Sequence, residues 1–321
     1  CWCNNIILAY NDFKEVIFFK DYSKLKNLVQ ESILYFDESM KKHTTMKVGG
    51  NAKCLVAPTN INEIVAVLKF SKENKIDVFV IGNGSNVIVD DSGIDGIVLK
   101  ISNKFSNIEV NDDKITALAG ASMPLVSLTA KNNGLSGLEF ACGIPGTIGG
   151  GARMNAGAYG SEMSNVIEKI KYIDEDLNLK EILAKDCKFS YRHSIFSENT
   201  QNIILEVTYH LEHADKKDIE EKMEEYKNLR ISKQPLEYPN SGSIFRRPEG
   251  YFVGKLVQDS GLKGKTIGGA QVSTKHTGFI VNIGNATCKD VKELIKFIQD
   301  TVFEKYNVKL ETEVEFIGGN K

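Results

Sequence analysis

Two glycine-rich segments of the chain have the composition of loops that hold a phosphate-bearing ligand. The first is Gly82-Asn83-Gly84-Ser85-Asn86, and the second, from Gly143 to Gly160, holds seven glycines in eighteen residues. Glycine permits positive φ and a close approach of the backbone, so that successive N–H groups can converge on one phosphate oxygen. Two such loops would supply enough donors for a diphosphate without several Lys or Arg residues. For Gly82-Asn83-Gly84 taken alone, a tight turn explains the glycines equally well.

Neither segment matches the usual nucleotide-binding fingerprints. Val87 stands where the third glycine of a Rossmann G-x-G-x-x-G motif belongs, and a strand rather than a helix is predicted to follow. The P-loop pattern is absent from the sequence as well. The loops therefore favour a dinucleotide that is bound outside a Rossmann domain.

The elements on either side of the first loop are predicted from their apolar pattern. Residues 78–81 form a continuous apolar run, typical of a strand buried on both faces, and residues 87–89 form a second run after the loop. A capping-box-like start at Asn60 predicts a helix to about residue 74. Ser122, followed by Pro124, predicts a second helix that ends near residue 133. The first loop is thus expected between two strands.

The composition changes near residue 212, where we place the main domain boundary. A charged amphipathic helix is predicted over 213–230 and another over 290–306, and residues 308–316 alternate as a strand. The start of the chain is short and apolar without an initiator Met, a basic n-region or a cleavage site, so residues 1–34 are expected to be partly non-native or processed. The predicted organisation is this N-terminal segment, a domain over 35–212 and a domain over 213–321, of α+β class with mixed sheets.

The bulk composition excludes several classes of function. The 321 residues are 42% hydrophobic and 26% charged with a net charge of −2, which is ordinary for a globular protein and argues against nucleic-acid or polybasic membrane surfaces. No apolar run approaches the roughly 18 residues of a membrane helix, so no membrane insertion is expected. The six cysteines are scattered without a CxxC or Cys/His cluster, so no metal site is expected. Few thiols in a chain of this length fit the reducing cytoplasm.

Seven motifs, in order along the chain, resemble the UDP-N-acetylenolpyruvoylglucosamine reductase family. They are HTTMKVGGNAKCLV, VFVIGNGSNVIVDDSGIDGIVL, GLSGLEFACGIPGTIGGGARMNAGAYG, YRHSIF, NSGSIFRRP, GGAQVSTKHTGFIVN and LETEVEFIG. They cover about residues 36 to 318, nearly the whole chain. The short interval after Tyr191-Arg192 resembles the shorter, type II subclass, which lacks an additional substrate-capping tyrosine loop.

The resemblance implies a fold, cofactors and partners. It implies an FAD-binding domain of the vanillyl-alcohol-oxidase (PCMH) type, made of two α+β subdomains, with a C-terminal α+β substrate domain. It also implies noncovalent FAD, NADPH as co-substrate, a UDP-sugar substrate, peptidoglycan precursor synthesis in the cytoplasm and a monomeric protein. In this family NADPH reduces the flavin, which then reduces the enolpyruvyl ether of the UDP-sugar.

Three residues match the catalytic positions of the family. Arg192 matches the cation, whose planar fork can grip a carboxylate at two points. Ser243 matches the proton donor, and Ser241 is its neighbouring rival. Glu313 matches the carboxylate, which can donate a hydrogen bond to a developing enolate if its pKa is raised. From the residues alone, Arg192 would be a surface or flavin-domain ion pair, Ser243 a loop residue, and Glu313 part of a solvated stripe with Glu311 and Glu315.

The resemblance also assigns binding residues. It places FAD on the first loop and on part of the second, at Gly82, Asn83, Gly84, Ser85, Asn86, Gly146, Thr147, Gly149, Gly150 and Ala156. Around the Ser243 motif, candidates for the UDP moiety are Lys233, Tyr238, Arg246 and Lys255. For each of these four, solvated surface polarity is an alternative of nearly equal weight.

Two other functions compete with this assignment. An FAD oxidase of the same fold would tether its flavin and carry a base in place of the Arg192, Ser243 and Glu313 set. A non-catalytic flavin or nucleotide-binding module would not need to retain those three residues.

Overall fold

The computed structural model describes residues 21–319, which form three successive α+β parts. Residues 1–20 of the predicted N-terminal segment, 1–34, lie outside the described residues. Its remainder forms a short 3-10 turn at Tyr22–Lys24, the single-turn helix α1 at Leu25–Leu28 and the start of the first strand.

The first part is a four-stranded mixed sheet with one long helix. Its strands and helix are β1 (Ile33–Ser39), β2 (Asn51–Ala57), α2 (Ile61–Asn74), β3 (Val78–Ile81), β4 (Val87–Val89) and β5 (Ile94–Lys100). The sheet order is β1-β2-β5-β3, and β4 stands apart from it. Asn60 caps α2 by accepting from the Glu63 amide at 3.0 Å, which confirms the predicted helix and its start. Both predicted strands around the first glycine loop are also confirmed, but β3 is not buried on both faces, since Val80 is exposed.

The second part is a five-stranded antiparallel sheet with helices at its connections. Its elements are β6 (Ile108–Asn111), β7 (Lys114–Leu118), α3 (Met123–Asn132), β8 (Leu135–Ser136), α4 (Ile148–Arg153), β9 (Gly157–Ala158), β10 (Ser161–Glu162), β11 (Ile167–Ile173), β12 (Leu179–Leu183), α5 (Ile195–Glu198), β13 (Ile203–His210) and the short strand β14 (Glu212–His213). The order is β12-β11-β13-β7-β6, and one hydrophobic core continues from the first part into this one. Because the core is shared, the two parts pack as paired subdomains.

The third part has its own core and a smaller sheet. Its elements are α6 (Lys216–Lys233), β15 (Asn240–Ser243), α7 (Val253–Asp259), β16 (Thr266–Ile267), β17 (Ala270–Val272), β18 (Phe279–Asn282), α8 (Cys288–Tyr306) and β19 (Glu315–Ile317). The sheet order is β15-β18-β17-β16. The apolar face of α8 is buried in this core, as its spacing predicts.

Helix α6 packs against the second part although it follows the predicted boundary. The ring of Tyr226 stacks on that of Tyr159 with centroids 4.4 Å apart, and Glu220 pairs with Lys131 at 2.8 Å. The domain boundary after residue 212 stays a prediction.

The end of the chain returns to the first part. Strand β19 pairs in parallel with β4, aligning Glu315 with Val87 and Ile317 with Val89. Asp91, just after β4, caps α8 by accepting from the Cys288 and Lys289 amides at 2.8 and 2.9 Å. These contacts anchor the third part beside the first glycine loop.

Between residues 21 and 319, no helix is both long and apolar enough to cross a membrane. The same residues contain no group of three or more His, Cys, Asp or Glu side chains that could hold a metal ion.

Candidate functional site

A cavity of about 640 Å³ lies where both subdomains and the terminal strand β19 meet. That volume is in the usual range for a cofactor or ligand pocket. All ten residues predicted to bind FAD line it: Gly82, Asn83, Gly84, Ser85, Asn86, Gly146, Thr147, Gly149, Gly150 and Ala156. The fold therefore brings the two glycine-rich segments, some 60 residues apart in sequence, to one cavity.

The glycines of the first loop allow close contacts with the second loop and with His43. A Cβ on Gly82 would overlap the Thr147 hydroxyl, and a Cβ on Gly84 would overlap the His43 carbonyl. Gly84 also has φ +64°, a conformation that other residues rarely adopt. At these two positions the glycines are required by close packing and by backbone geometry, not only by a turn.

The first loop presents unengaged backbone donors beside the cavity. In the described part of the chain, the amides of Asn83, Gly84, Ser85 and Asn86 donate no hydrogen bond to another protein atom. Consecutive free N–H groups at a glycine-containing turn suit an anion such as a diphosphate. The residues present thus fit an FAD molecule held through its diphosphate.

Arg192 and Glu313 form an ion pair beside this cavity. Arg192 Nε donates to Glu313 Oε1 at 3.1 Å, and the two side chains are only 18% and 13% exposed. The guanidinium is held further by the carbonyls of Asn155 at 3.3 Å and Gly157 at 2.9 Å. Arg192 has φ +55°, so the backbone adopts a left-handed conformation at the residue that makes these contacts.

Glu313 departs from the solvated stripe that its sequence pattern indicates. Burial raises its pKa above the ordinary 4.5, against the opposing effects of the Arg192 and Arg246 guanidinium groups. Of the predicted alternation, only Glu315–Ile317 forms a strand, and it is Phe316 that is exposed. Before this strand, Thr312 forms a single antiparallel bridge with Phe245, in which the Glu313 amide donates to the Ile244 carbonyl at 2.8 Å and the Arg246 amide donates to the Glu311 carbonyl at 2.9 Å.

Ser243 lies next to that same contact. Ser243 is the last residue of β15 and is exposed, and the carbonyl of its neighbour Ile244 accepts a hydrogen bond from the Glu313 amide. Asn86, from the first glycine loop, donates through Nδ2 to the Glu313 carbonyl at 3.1 Å. The backbone of these segments therefore brings Arg192, Ser243 and Glu313 to one region beside the cavity, although none of the three lines its wall.

Ser241, the neighbouring rival, differs from Ser243 in its surroundings. It is 2% exposed, and its hydroxyl has no hydrogen-bond partner among the described residues. Because it points into the protein, it is not placed to meet a ligand from solvent.

The four candidates for the UDP moiety occupy different positions. Lys233 is the exposed last residue of α6, and Lys255 is exposed and pairs with Asp259 at 2.7 Å. Arg246 is exposed and close to Glu313, and its positive charge partly opposes the rise in the pKa of Glu313. Tyr238 lines a second, separate cavity of about 410 Å³. The structure groups only Arg246 with the three catalytic candidates.

Arg153 and Glu315 are charged residues of the main cavity for which the sequence predicts no role. Arg153, at the end of α4, and Glu315, at the start of β19, both line it and form an ion pair with each other. Arg153 stands inside the second glycine-rich segment, and this location could have indicated from the sequence that it lines the cavity. The partner could not be found in the same way, because it lies 162 residues further along.

The class of this protein follows from two family models that match the chain. Residues 52–181 match a family model described as an FAD binding domain, and residues 234–317 match one described as the UDP-N-acetylenolpyruvoylglucosamine reductase C-terminal domain. Together with the glycine-lined cavity, these matches define a flavin-dependent oxidoreductase of two domains.

The chain belongs to the UDP-N-acetylenolpyruvoylglucosamine reductase family. A reductase of that name from Caldanaerobacter subterraneus subsp. tengcongensis is 47% identical over 92% of this chain and 97% of the relative. Another, from Clostridium perfringens, is 46% identical over 92% and 97%. The crystal structure of the reductase from Thermus caldophilus matches with a TM-score of 0.76 at 32% identity, covering 89% of this chain and 98% of that one. The predicted family, fold class and flavin-dependent reductase class are confirmed.

Proposed function

We propose that this chain reduces UDP-N-acetylglucosamine enolpyruvate to UDP-N-acetylmuramate with NADPH, in peptidoglycan precursor synthesis. The observation that carries the proposal is the Arg192–Glu313 ion pair, beside Ser243 and at the edge of the glycine-lined cavity. FAD, held by the two glycine-rich loops, would supply the hydride chemistry that links NADPH to the enolpyruvyl carbon of the substrate. The rest of the chemistry falls to side chains of this protein.

Arg192 serves to stabilise the negative charge that develops on the substrate carboxylate and enolate. Its Nη atoms are held by two backbone carbonyls, so the guanidinium is oriented before the substrate arrives. Preorganised donors of this kind stabilise a transition state without reorganisation during the reaction. The contact through Nε with Glu313 keeps the positive charge beside the reacting region.

Ser243 serves as the acid that protonates the second enolpyruvyl carbon. A serine hydroxyl is a weak acid, but an enolate carbon is a base strong enough to accept its proton. The exposed position of Ser243 lets a bound substrate reach it, whereas the Ser241 hydroxyl is buried.

Glu313 serves as a carboxyl group that can hold a proton. Burial raises its pKa, which favours the protonated form in the site. A neutral carboxyl group can donate a hydrogen bond to the developing enolate. When the carboxyl is ionised, Arg192 compensates its charge at 3.1 Å.

Binding of the nucleotide part of the substrate is assigned to residues around β15. We propose Arg246, Lys233, Tyr238 and Lys255 for the UDP moiety, with Arg246 best supported because it lies close to Glu313. A monomer in the cytoplasm, where NADPH and nucleotide sugars are made, is the corresponding setting. The pathway would connect this enzyme to cell shape and cell division.

An anaerobic sequence of additions tests the function. FAD-loaded protein should lose its yellow colour with NADPH, and UDP-N-acetylglucosamine enolpyruvate should restore it, with a product two hydrogens heavier by mass spectrometry. An equal amount of UDP-N-acetylglucosamine, which lacks the enolpyruvyl group, is the control and should leave the flavin bleached. Recolouring by air alone at a comparable rate would favour the oxidase, and no bleaching by NADPH would favour the binding module.

A further inference from the structure

Arg153 is a basic residue of the main cavity that stands in the second glycine-rich segment, close in the chain to the carbonyls that hold Arg192. The lining contains two basic residues, Arg153 and Lys72. Lys72 lies on α2, and its ammonium group donates to the Glu175 carbonyl. Arg153 instead lies two residues before Asn155, whose carbonyl holds Arg192.

Contacts of both its backbone and its side chain fix the position of Arg153. Its carbonyl accepts from the Ser194 hydroxyl at 2.6 Å, and its guanidinium pairs with Glu315. Glu315 in turn donates through its amide to the Asn86 carbonyl at 3.0 Å, next to the first glycine loop. The pair therefore bridges the two cofactor loops, with side chains that are 30% and 42% exposed.

We propose that Arg153 tunes the flavin electrostatically by stabilising the negative charge that FAD gains on reduction, and that Glu315 holds and partly offsets this charge. The proposal rests on the FAD-binding part of the proposed function. A hydride carries two electrons and one proton, so each transfer from NADPH leaves the flavin with one additional negative charge and yields NADP⁺. A fixed cation lining the same cavity favours that state, and charge near a flavin ring is an established means of tuning it.

This role predicts opposite effects for the two partners. Arg153→Gln removes the cation and leaves Glu315 uncompensated, so the reduction potential of the bound flavin should fall. Glu315→Gln leaves the cation uncompensated, so the potential should rise. Each shift should be at least about tenfold in the equilibrium constant for reduction, or about 30 mV for a two-electron couple.

The experiment measures the potential of the FAD-loaded full chain by equilibration with a reference dye, without any UDP-sugar. The affinity for oxidised FAD is measured in parallel. Glu311→Gln is the matched control, because Glu311 is exposed on the same segment and does not line the cavity, and it should leave the potential unchanged. Arg153→Lys should keep most of the wild-type potential.

Two outcomes would overturn the inference. If both variants shift the potential in the same direction, the pair acts only as a structural link between the loops. If Arg153→Gln weakens the binding of oxidised and reduced FAD equally, the potential stays unchanged and Arg153 binds another part of the cofactor. A wild-type protein that fails to turn over the UDP-sugar, while the two variants still shift in opposite directions, would refute the proposed function and leave this inference intact.

Discussion

Replacement of Arg192 by alanine removes the cation that compensates the nearly buried carboxylate of Glu313. The variant loses three hydrogen bonds, at 3.1, 3.3 and 2.9 Å. Removing one partner of a buried ion pair costs about 3–5 kcal/mol. Because the two side chains keep 18% and 13% exposure, we expect the lower end of that range, about 3 kcal/mol in the free energy of unfolding.

The backbone at Arg192 adds a second test at the same position. With φ +55°, any L-residue here carries left-handed strain of about 1–2 kcal/mol, which glycine does not. Arg192→Gly should therefore be more stable than Arg192→Ala by about 1 kcal/mol, although both lack the guanidinium. Denaturant unfolding at one saturating FAD concentration measures both values. Lys309→Ala, at an exposed lysine, is the control and should change stability by less than about 0.5 kcal/mol.

The same variants separate catalysis from stability. Loss of one preorganised charge-stabilising group lowers a rate by about 10²–10³-fold. We expect this loss in the reoxidation of the reduced enzyme by the UDP-sugar, measured by stopped flow, and not in the NADPH half-reaction. The reoxidation rate of Arg192→Lys should lie between those of the wild type and Arg192→Ala, because a lysine keeps the charge but not the planar fork. Alanine and glycine variants of equal stability, both close to wild type, would refute the ion-pair and strain reasoning. An unchanged reoxidation rate would refute the catalytic role.

Three further predictions use the other groups of the site. Ser243→Ala should slow reoxidation by the UDP-sugar about 10²–10⁴-fold, whereas Ser241→Ala, which removes a buried hydroxyl without a partner, should keep activity and gain about 1 kcal/mol of stability. The pKa of Glu313 is raised in the folded state, so the protonated carboxyl group stabilises the fold. This stabilisation is fully present below pH 4.5, the ordinary pKa, and is lost as the pH rises through the raised pKa. The stability of the wild type relative to Glu313→Gln, from unfolding at several pH values, should fall across that window, and a constant difference would contradict the shift. Gly82→Ala should weaken FAD binding at least about tenfold by fluorescence titration, since its Cβ would overlap Thr147, and unchanged affinity would contradict the close packing of the loops.

Much of the local structure was predictable because it depends on short-range pattern. The cap at Asn60, the helix started by Ser122 and the strands on either side of the first loop all follow from residues within a few positions of each other. The order of seven motifs predicted the family, and the glycine content predicted which segments line a cavity. The seven-glycine stretch requires close packing at Gly146 and Gly149, where an added Cβ would meet Met123 and Ala119.

The terminal strand shows where pattern reasoning failed. Alternation over 308–316 predicts one long strand with its glutamates in solvent. The structure instead has a single bridge from Thr312 to Phe245 and a short strand, Glu315–Ile317, that pairs with β4. Hydrophobic alternation reports which residues prefer burial, but it cannot report which distant strand will accept the hydrogen bonds.

The sequence by itself predicted most of the helices and strands, the two glycine-rich segments that line the cavity and, through resemblance, Arg192, Ser243 and Glu313 as catalytic candidates. Only the tertiary structure decided that Glu313 is buried against Arg192, that Ser241 points inward, and that Arg153 meets Glu315 at the cavity. The two ion pairs join residues more than a hundred positions apart. Burial and charge pairing depend on the separation of groups in space, and that separation is fixed by the packing of the three parts and not by any local preference of the chain.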